Sequence, residues 1–244
     1  MVLALIGVLI GVLSGFFGIG GGTILVPILL YLGFSFKEAT GISITQMLFS
    51  SLYGSFLNIK NGSLKVSDSL YVGVGAIFGG FLSGFISIYI PEIILKVIFI
   101  LFLLFAIYKI YFLKISTLNE HKRELNPIIL LLIGFFVGLL SISIGVGGAV
   151  VVVPLLAGVL RYPIKEAVSG GLFFVVFSSL SGFIARAING TIDFKDALII
   201  SIGSLIGVKI GIFLKEKIKS RHHKNLIVIM YIVILILMIK KSFF

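Results

Sequence analysis

Two clusters of glycine, each inside a long apolar run, are the residues of this chain whose types and spacing could do chemistry. They comprise Gly18, Gly20, Gly21 and Gly22 in the first cluster and Gly145, Gly147 and Gly148, followed by Ala149, in the second. Glycine destabilises helices, so each cluster predicts a break within an apolar helix. A helix that begins at such a break presents unpaired backbone N–H groups and the positive end of its dipole. Such a helix start binds small anions, and glycine lets them approach closely.

Each cluster belongs to a longer segment that occurs twice. Gly18 to Pro27 recurs 127 positions later as Gly145 to Pro154, and from Lys37 onward the offset is 128. Apolar bias does not readily produce the matched Pro, Asn, Glu and Gly residues that extend this correspondence. We therefore divide a single transmembrane domain, 1–244, into repeat 1 (1–116), a polar linker (117–126) and repeat 2 (127–244).

The composition is that of a multi-spanning membrane protein. Of 244 residues, 59% are hydrophobic and 12% are charged, and the mean hydropathy is +1.25, which is too apolar for a soluble domain. There is no cysteine, which excludes disulfides and thiol chemistry. We expect all three histidines (His121, His222 and His223) in polar loops, which argues against a buried histidine metal site. The net charge of +11 comes from basic residues that flank apolar segments, where they contact lipid headgroups rather than nucleic acid.

The apolar segments predict an all-α integral membrane protein. Each repeat has one broken segment and three full spans, which we place at 39–59, 69–88 and 93–113, and at 166–186, 197–214 and 224–240. The broken segments pair 2–17 with 23–33 and 128–144 with 150–160. Each is either one long tilted helix or a hairpin that enters the membrane and returns.

The distribution of basic residues favours the hairpins. If each broken segment crosses once, the twenty Lys and Arg residues divide ten to ten between the two sides of the membrane. If each is a hairpin, the second repeat is inverted and the division becomes fourteen to six, as the positive-inside rule requires. We therefore predict two inverted repeats in the cell (inner) membrane, with both termini outside and the linker 117–126 in the cytoplasm.

Inverted hairpins would bring the two glycine clusters together near the middle of the membrane. Exposed backbone is tolerated there only where it lines a cavity or is buried in protein. We predict that the substrate-binding residues are the eight cluster residues named above together with Thr23, Gln46, Ser50, Ser51, Ser178, Ser179 and Arg186.

Each of these residue types has an alternative role. The glycines could pack helices, single Ser and Thr could bond their own helix, and Arg186 could reach the lipid headgroups. Gln46 is costlier to bury than Ser or Thr, and Phe174 takes its place in repeat 2. A second set of glycines is spaced by four and predicts helix packing: Gly75, Gly79, Gly203 and Gly207.

The predicted function is secondary transport of a small anion, with an anion channel lined by the same hairpins as the alternative. No catalytic, metal-ligating or nucleotide-binding constellation occurs at plausible depth, so we predict no enzyme activity and no cofactor. The expected partners are the anion and membrane lipid, without nucleic acid. A coupling ion (H⁺ or Na⁺) and a homodimer stay open.

The two motifs resemble those of the sulfite exporter TauE/SafE family. Gly18, Gly20 to Gly22 and Pro27 fit the first motif, while Gly145, Gly147, Gly148 and Pro154 fit the second, where Ala149 replaces the last glycine. The resemblance covers both repeats. It implies a multi-pass inner-membrane transporter of sulfite, sulfonates or other organosulfur and organic anions. The replacement at Ala149 departs from the family's motif and predicts a second helix tip slightly less open than the first.

Overall fold

The computed structural model describes residues 2–64, 67–87, 89–112 and 125–243. These residues form ten helices and no strand, which confirms the all-α class. The helices are α1 (Val2–Phe17), α2 (Gly22–Tyr31), α3 (Phe36–Lys60), α4 (Ser67–Ile86), α5 (Glu92–Tyr111), α6 (Pro127–Ser143), α7 (Ala149–Gly158), α8 (Ile164–Ile188), α9 (Phe194–Lys217) and α10 (Ser220–Phe243). Most of the predicted linker, 117–124, lies outside the described residues.

The six predicted full spans correspond to α3, α4, α5, α8, α9 and α10. Within the described part of the chain, five of them are long and apolar enough to cross a membrane, and α3 is the exception. α3 has 25 residues, enough for about 37 Å of helix, but its buried Ser, Thr and Gln residues lower its apolarity. The molecule is therefore a multi-pass membrane protein with one unusually polar core helix.

Three helix starts follow from local sequence. Ser35 and Glu38 form a capping box at α3, in which each side chain accepts a hydrogen bond from the other residue's backbone N–H,. The Asn126 side chain accepts from the Ile128 N–H at 2.9 Å just before α6. At α9, the Asp193 side chain accepts from the N–H groups of the first helical turn,.

Glycine stripes bring two pairs of helices into close contact. A Cβ atom at Gly203 or Gly207 of α9 would collide with the backbone of α1, and one at Gly75 or Gly79 of α4 would collide with the backbone of α6. The structure thus confirms that these four glycines serve helix packing.

The contacts of α3 fix its direction relative to its neighbours. An added Cβ at Gly41, near the start of α3, would lie 2.7 Å from the carbonyl oxygen of Thr191, just after α8 ends. Toward the other end of α3, Gly54 faces Leu172, close to the start of α8. α3 and α8 are therefore antiparallel. Gly54 also faces Val208, in the second half of α9, and Gly41 faces the segment that precedes α9, so α9 runs parallel to α3.

The first two helices run in opposite directions. Along α1, Gly7 contacts Ile200 and Gly15 contacts Val208 and Ile212 of α9, so α1 is parallel to α9 and hence to α3. The start of α2 adjoins the Ser43 hydroxyl in α3, and only residues 32–35 separate its end from the start of α3. α2 therefore returns toward the side from which α1 began.

The histidine prediction was wrong. His222 and His223 lie within α10, and His223 is fully buried, with its Nε2 atom 2.8 Å from the carbonyl oxygen of Phe16. α10 begins at Ser220, one turn before the predicted span at 224, because the polar residues at its start still form helix. His121 lies outside the described residues.

Candidate functional site at the paired glycine loops

The two predicted helix breaks are present and share one backbone conformation. Gly18, Gly20 and Gly21 have φ angles of 71°, 74° and 87°, and their counterparts Gly145, Gly147 and Gly148 have 72°, 73° and 85°. Residues with a Cβ rarely adopt these left-handed values. We call residues 18–21 and 145–148 the first and second glycine loops; glycine at these positions is required by the geometry of both turns.

Serine side chains hold both loops against the middle of the core helices. The Ser50 hydroxyl of α3 donates to the carbonyl oxygen of Gly20 at 3.1 Å. The Ser178 hydroxyl of α8 donates to the carbonyl oxygen of Gly147 at 2.9 Å. Each serine is the fifteenth residue of a 25-residue helix, so the loops sit halfway along these helices. Two of the predicted site serines therefore position the loop backbone.

Each loop also contacts the core helix of the other repeat. The Ser43 hydroxyl donates to the carbonyl oxygen of Gly145 at 2.8 Å, and that oxygen lies against Gly22. The residue equivalent to Ser43 in repeat 2 is Gly171, where an added Cβ would come within 3.3 Å of the carbonyl oxygen of Gly18. The carbonyl oxygen of Gly18 in the first loop is therefore packed against Gly171, whereas the carbonyl oxygen of Gly145 in the second loop accepts a hydrogen bond from Ser43.

Two equivalent apolar side chains fill the space between the loops. A Cβ at Gly20 would lie 2.7 Å from Cγ1 of Val175 and 3.4 Å from Cγ of Met47. A Cβ at Gly147 would lie 2.7 Å from Sδ of Met47 and 3.2 Å from Cγ1 of Val175. Met47 and Val175 occupy matching positions, 128 residues apart. Neither residue stands out among the apolar residues of the sequence, and the repeat offset is the one signal that could have found them.

The helices that follow the loops begin without side-chain caps. Gly21 is the N-cap of α2 and Gly148 is the N-cap of α7, and neither start receives a side-chain hydrogen bond. The first N–H groups of each helix also lack an intrahelical partner. The helix dipoles add partial positive charge at the same points. Two donor-rich helix tips therefore lie close together, halfway along α3 and α8.

The first tip is polar. Both amide atoms of Gln46 and the hydroxyl of Thr23 are buried without a hydrogen-bond partner. An added Cβ at Gly21 would lie 2.6 Å from Oε1 and 3.0 Å from Nε2 of Gln46, so the amide rests directly against the start of α2. These unpartnered groups are available to a ligand.

The second tip is largely apolar. Phe174 takes the place of Gln46, with its Cε1 atom 2.7 Å from the Cβ that Gly148 lacks. The Ser141 hydroxyl lies 2.8 Å from the same point and is buried without a partner. Ala149, the first residue of α7, is also fully buried. The two tips thus share one backbone shape but differ in side-chain chemistry.

Three predicted site residues stand apart from this cluster. The Ser51 hydroxyl donates to Leu48 of its own helix at 3.3 Å, and the Ser179 hydroxyl donates within α8 to Val175. Arg186 lies eight residues beyond Ser178 on α8, about 12 Å along the helix axis. The structure brings together the glycine loops, Thr23, Gln46, Ser50, Ser178 and Ala149, and leaves Arg186 nearer one face of the protein.

The described residues offer no metal site, and a surface groove lies outside this centre. Among the described residues, no group of three or more His, Asp or Glu side chains is placed to hold a metal ion. A groove of about 790 Å³ opens on the outside of α3 and α9, where it is lined by Tyr53, Leu205, Ile206, Lys209, Ile210 and Phe213. The glycine loops take no part in it.

These features define a class of protein: a multi-pass helical membrane protein whose buried centre is built from paired helix breaks. The chain belongs to the sulfite exporter TauE/SafE family, whose sequence profile matches residues 3–238. It is a membrane transporter of that family.

Curated relatives are named as transporters without a substrate. A "probable membrane transporter protein" of Methanocaldococcus jannaschii is 29% identical over 241 residues, which cover 90% of this chain and 88% of the relative. The protein YunE of Bacillus subtilis, described in the same words, is 24% identical, and the alignment covers 97% of this chain and 95% of YunE. YdhB of Bacillus subtilis, also so described, is 25% identical over 86% of this chain and 88% of its own length. No solved structure matches this chain.

Proposed function

We propose that this protein is a secondary transporter of a small anion, such as sulfite, a sulfonate or another organosulfur or organic anion. The anion binds where α2 and α7 begin. One observation carries this proposal: the two glycine loops have the same conformation, meet midway along α3 and α8, and start helices that lack side-chain caps. Helix N-termini of this kind favour negative charge.

The inverted arrangement of the repeats is part of the proposal. α3 and α8, which are equivalent in the two repeats, are antiparallel by their contacts, and α2 returns along α3. Both observations support two hairpins that enter the membrane from opposite sides, as charge counting predicts. In this arrangement α2 and α7 approach the centre from opposite faces.

The anion binds closer to the first tip than to the second. Unpartnered Gln46 and Thr23 groups flank the start of α2, whereas Phe174 covers the start of α7. A hydrogen bond from a neutral donor to a charged acceptor contributes about 1.5–3 kcal/mol. Carboxylates lie away from this centre, because those of the described helices are at helix ends. First turns hold Glu38, Asp68, Glu92, Glu166 and Asp196, and the last turn of α9 holds Glu216.

A flux screen tests the proposal. The purified protein is reconstituted into liposomes, and uptake of sulfite, thiosulfate, sulfonates and small carboxylates is measured. We expect at least one of these anions to show saturable flux. Flux that rises linearly with concentration at channel-like rates would favour the anion channel instead.

Substitutions in the glycine loops connect flux to the site. Gly20→Leu and Gly147→Leu are expected to abolish flux while the protein still inserts. Each leucine would displace Met47 or Val175, and it would also be strained at a turn position with positive φ. Gly62→Ala and Gly190→Ala are matched controls: both glycines have positive φ, yet an added Cβ meets nothing within 4 Å. Normal flux in both leucine variants, with confirmed membrane insertion, would refute a site at the loops.

A further inference from the structure

Two buried cations occupy equivalent places in the two repeats. Arg186, in the last turn of α8, is 5% exposed, and Lys215, near the end of α9, is fully buried. With the repeat offset of 128, Arg186 corresponds to Asn58 of α3, and Lys215 corresponds to Ser87 after α4. In one place the cation is in α8 (Arg186) and the neutral residue follows α4 (Ser87). In the other place the cation is in α9 (Lys215) and the neutral residue is in α3 (Asn58).

The cations lie on opposite sides of the glycine loops. Arg186 follows Ser178 by eight residues and Asn58 follows Ser50 by eight residues, which is about 12 Å along each helix. Because α3 and α8 are antiparallel, these displacements point in opposite directions. From one face of the protein to the other, the order of these groups is therefore one cation, the two donor-rich helix tips and the other cation.

Arg186 has unused hydrogen-bonding capacity. Its Nη2 atom contacts the Ser87 hydroxyl at 3.5 Å, and its Nε atom is buried without a partner. In the described part of the chain, no carboxylate lies within salt-bridge distance of it. A buried guanidinium with no counter-ion is costly, and its planar fork of donors matches an oxyanion.

Lys215 is fully engaged by its neighbours. Its Nζ atom donates to Oδ1 of Asn58 and to the Ser169 hydroxyl, both at 2.7 Å, and lies 3.2 Å from Oε1 of Glu216. These contacts join α3, α8 and α9 on one side of the loops. At the equivalent position on the other side, the described residues give the Arg186 side chain only the polar contact with Ser87.

We propose that Arg186, together with Ser87, forms a second binding site for the transported anion, between the glycine loops and the face where α3 begins. Lys215 is its counterpart toward the opposite face and is closed in this conformation by Asn58 and Ser169. An anion arriving from the α3-start face binds Arg186 before it reaches the helix tips. This inference rests on the proposed function.

The test measures flux separately from each face. Liposomes with protein in a known orientation take up sulfite, thiosulfate or methanesulfonate, and initial rates are fitted from both sides. We expect Arg186→Gln to raise KM from the α3-start face at least about tenfold and to change KM from the other face by less than twofold. Arg186→Lys keeps the charge and is expected to restore part of the affinity. Ser87→Ala, a milder change, is expected to shift KM in the same direction as Arg186→Gln.

Variants at Lys215 and Lys209 test the opposite face and provide a control. Lys215→Gln is expected to raise KM from the opposite face, while Lys209→Gln, an exposed cation on the same helix, is expected to leave KM unchanged from both. Elution as a single species in size-exclusion chromatography checks that each variant folds. Equal loss from both faces, or unchanged KM in Arg186→Gln and Ser87→Ala, would overturn the proposal.

The two hypotheses fail in different ways. If the wild-type protein carries none of the anions in the flux screen, the proposed function fails. If the wild type carries one of them and the loop variants abolish its flux, but Arg186→Gln matches the wild type from both faces, only the second site is wrong.

Discussion

Gln46 is the residue that gives the two glycine loops different chemistry. Its amide nitrogen and oxygen are both buried without a partner, against the start of α2, while Phe174 occupies the equivalent position. Leaving a polar group buried and unsatisfied costs about 1–3 kcal/mol. An anion bound at the proposed site would accept from the amide and recover part of that free energy.

Removing the amide tests this role. We expect Gln46→Leu to raise KM for the transported anion about 10- to 100-fold, because a hydrogen bond to a charged group contributes about 1.5–3 kcal/mol. Thr45→Val is the matched control: Thr45 is an adjacent buried residue whose hydroxyl donates to Gly41 of its own helix at 3.1 Å. Initial-rate measurements in proteoliposomes give both values. Equal KM shifts in the two variants would show that only packing was disturbed.

Some site residues could be recognised from sequence and others could not. The glycine loops stand out because glycine clusters are unfavourable in apolar helices, and Gln46 because a buried amide is rare in such segments. Met47 and Val175 are apolar residues among many others, so their placement between the loops follows only from the packing of α3 against α8. From the sequence, Lys215 looks like one of the basic residues that flank apolar segments, because its burial by Asn58 and Ser169 depends on contacts distant in sequence.

At the scale of elements, α3 and α8 form the centre on which both loops rest. The predicted breaks and full spans match the helices closely because glycine and apolar run length are local signals. The start of α10 was missed by one turn, since a polar helix end resembles a loop in composition. Helix direction is a tertiary property, and the close contacts of Gly41 and Gly54 supply it.

Met47 and Val175 close the space between these two elements. Both side chains contact the glycine loops, so under the proposed function they would have to move aside to admit an anion between the tips. We expect Met47→Ala to raise the maximal rate of flux several-fold and to lower the free energy of unfolding by about 2–5 kcal/mol. Proteoliposome flux and thermal unfolding measure the two effects.

Met238→Ala is the control for that substitution. Met238 is also fully buried but lies in α10, away from the loops, so we expect a similar loss of stability without faster flux. A Met47→Ala protein that folds and transports more slowly than the wild type would contradict a blocking role for this side chain.

At the scale of the whole molecule, the two repeats share the backbone conformation of their glycine loops but differ in the side chains around them. Their loops agree in φ within 2° at each position, yet Gln46 is replaced by Phe174, and Ser87 by Lys215, at the equivalent positions of repeat 2. A molecule with this construction can present similar helix tips toward both faces of the membrane while holding one preferred anion position. That arrangement requires inverted repeats, in which equivalent helix ends lie on opposite sides of the membrane.

Cysteine labelling tests the inversion directly, because the natural chain contains no cysteine. Lys60, at the end of α3, and Lys195, in the first turn of α9, are both exposed and suit single replacement by cysteine. With inverted repeats, a membrane-impermeant maleimide labels Lys60→Cys only in inverted vesicles and Lys195→Cys only in intact cells. If the repeats were parallel, each broken segment would cross once and both positions would face the same side. Labelling of both variants from one side would therefore exclude the two opposed hairpins, and with them the convergence of α2 and α7 from opposite faces.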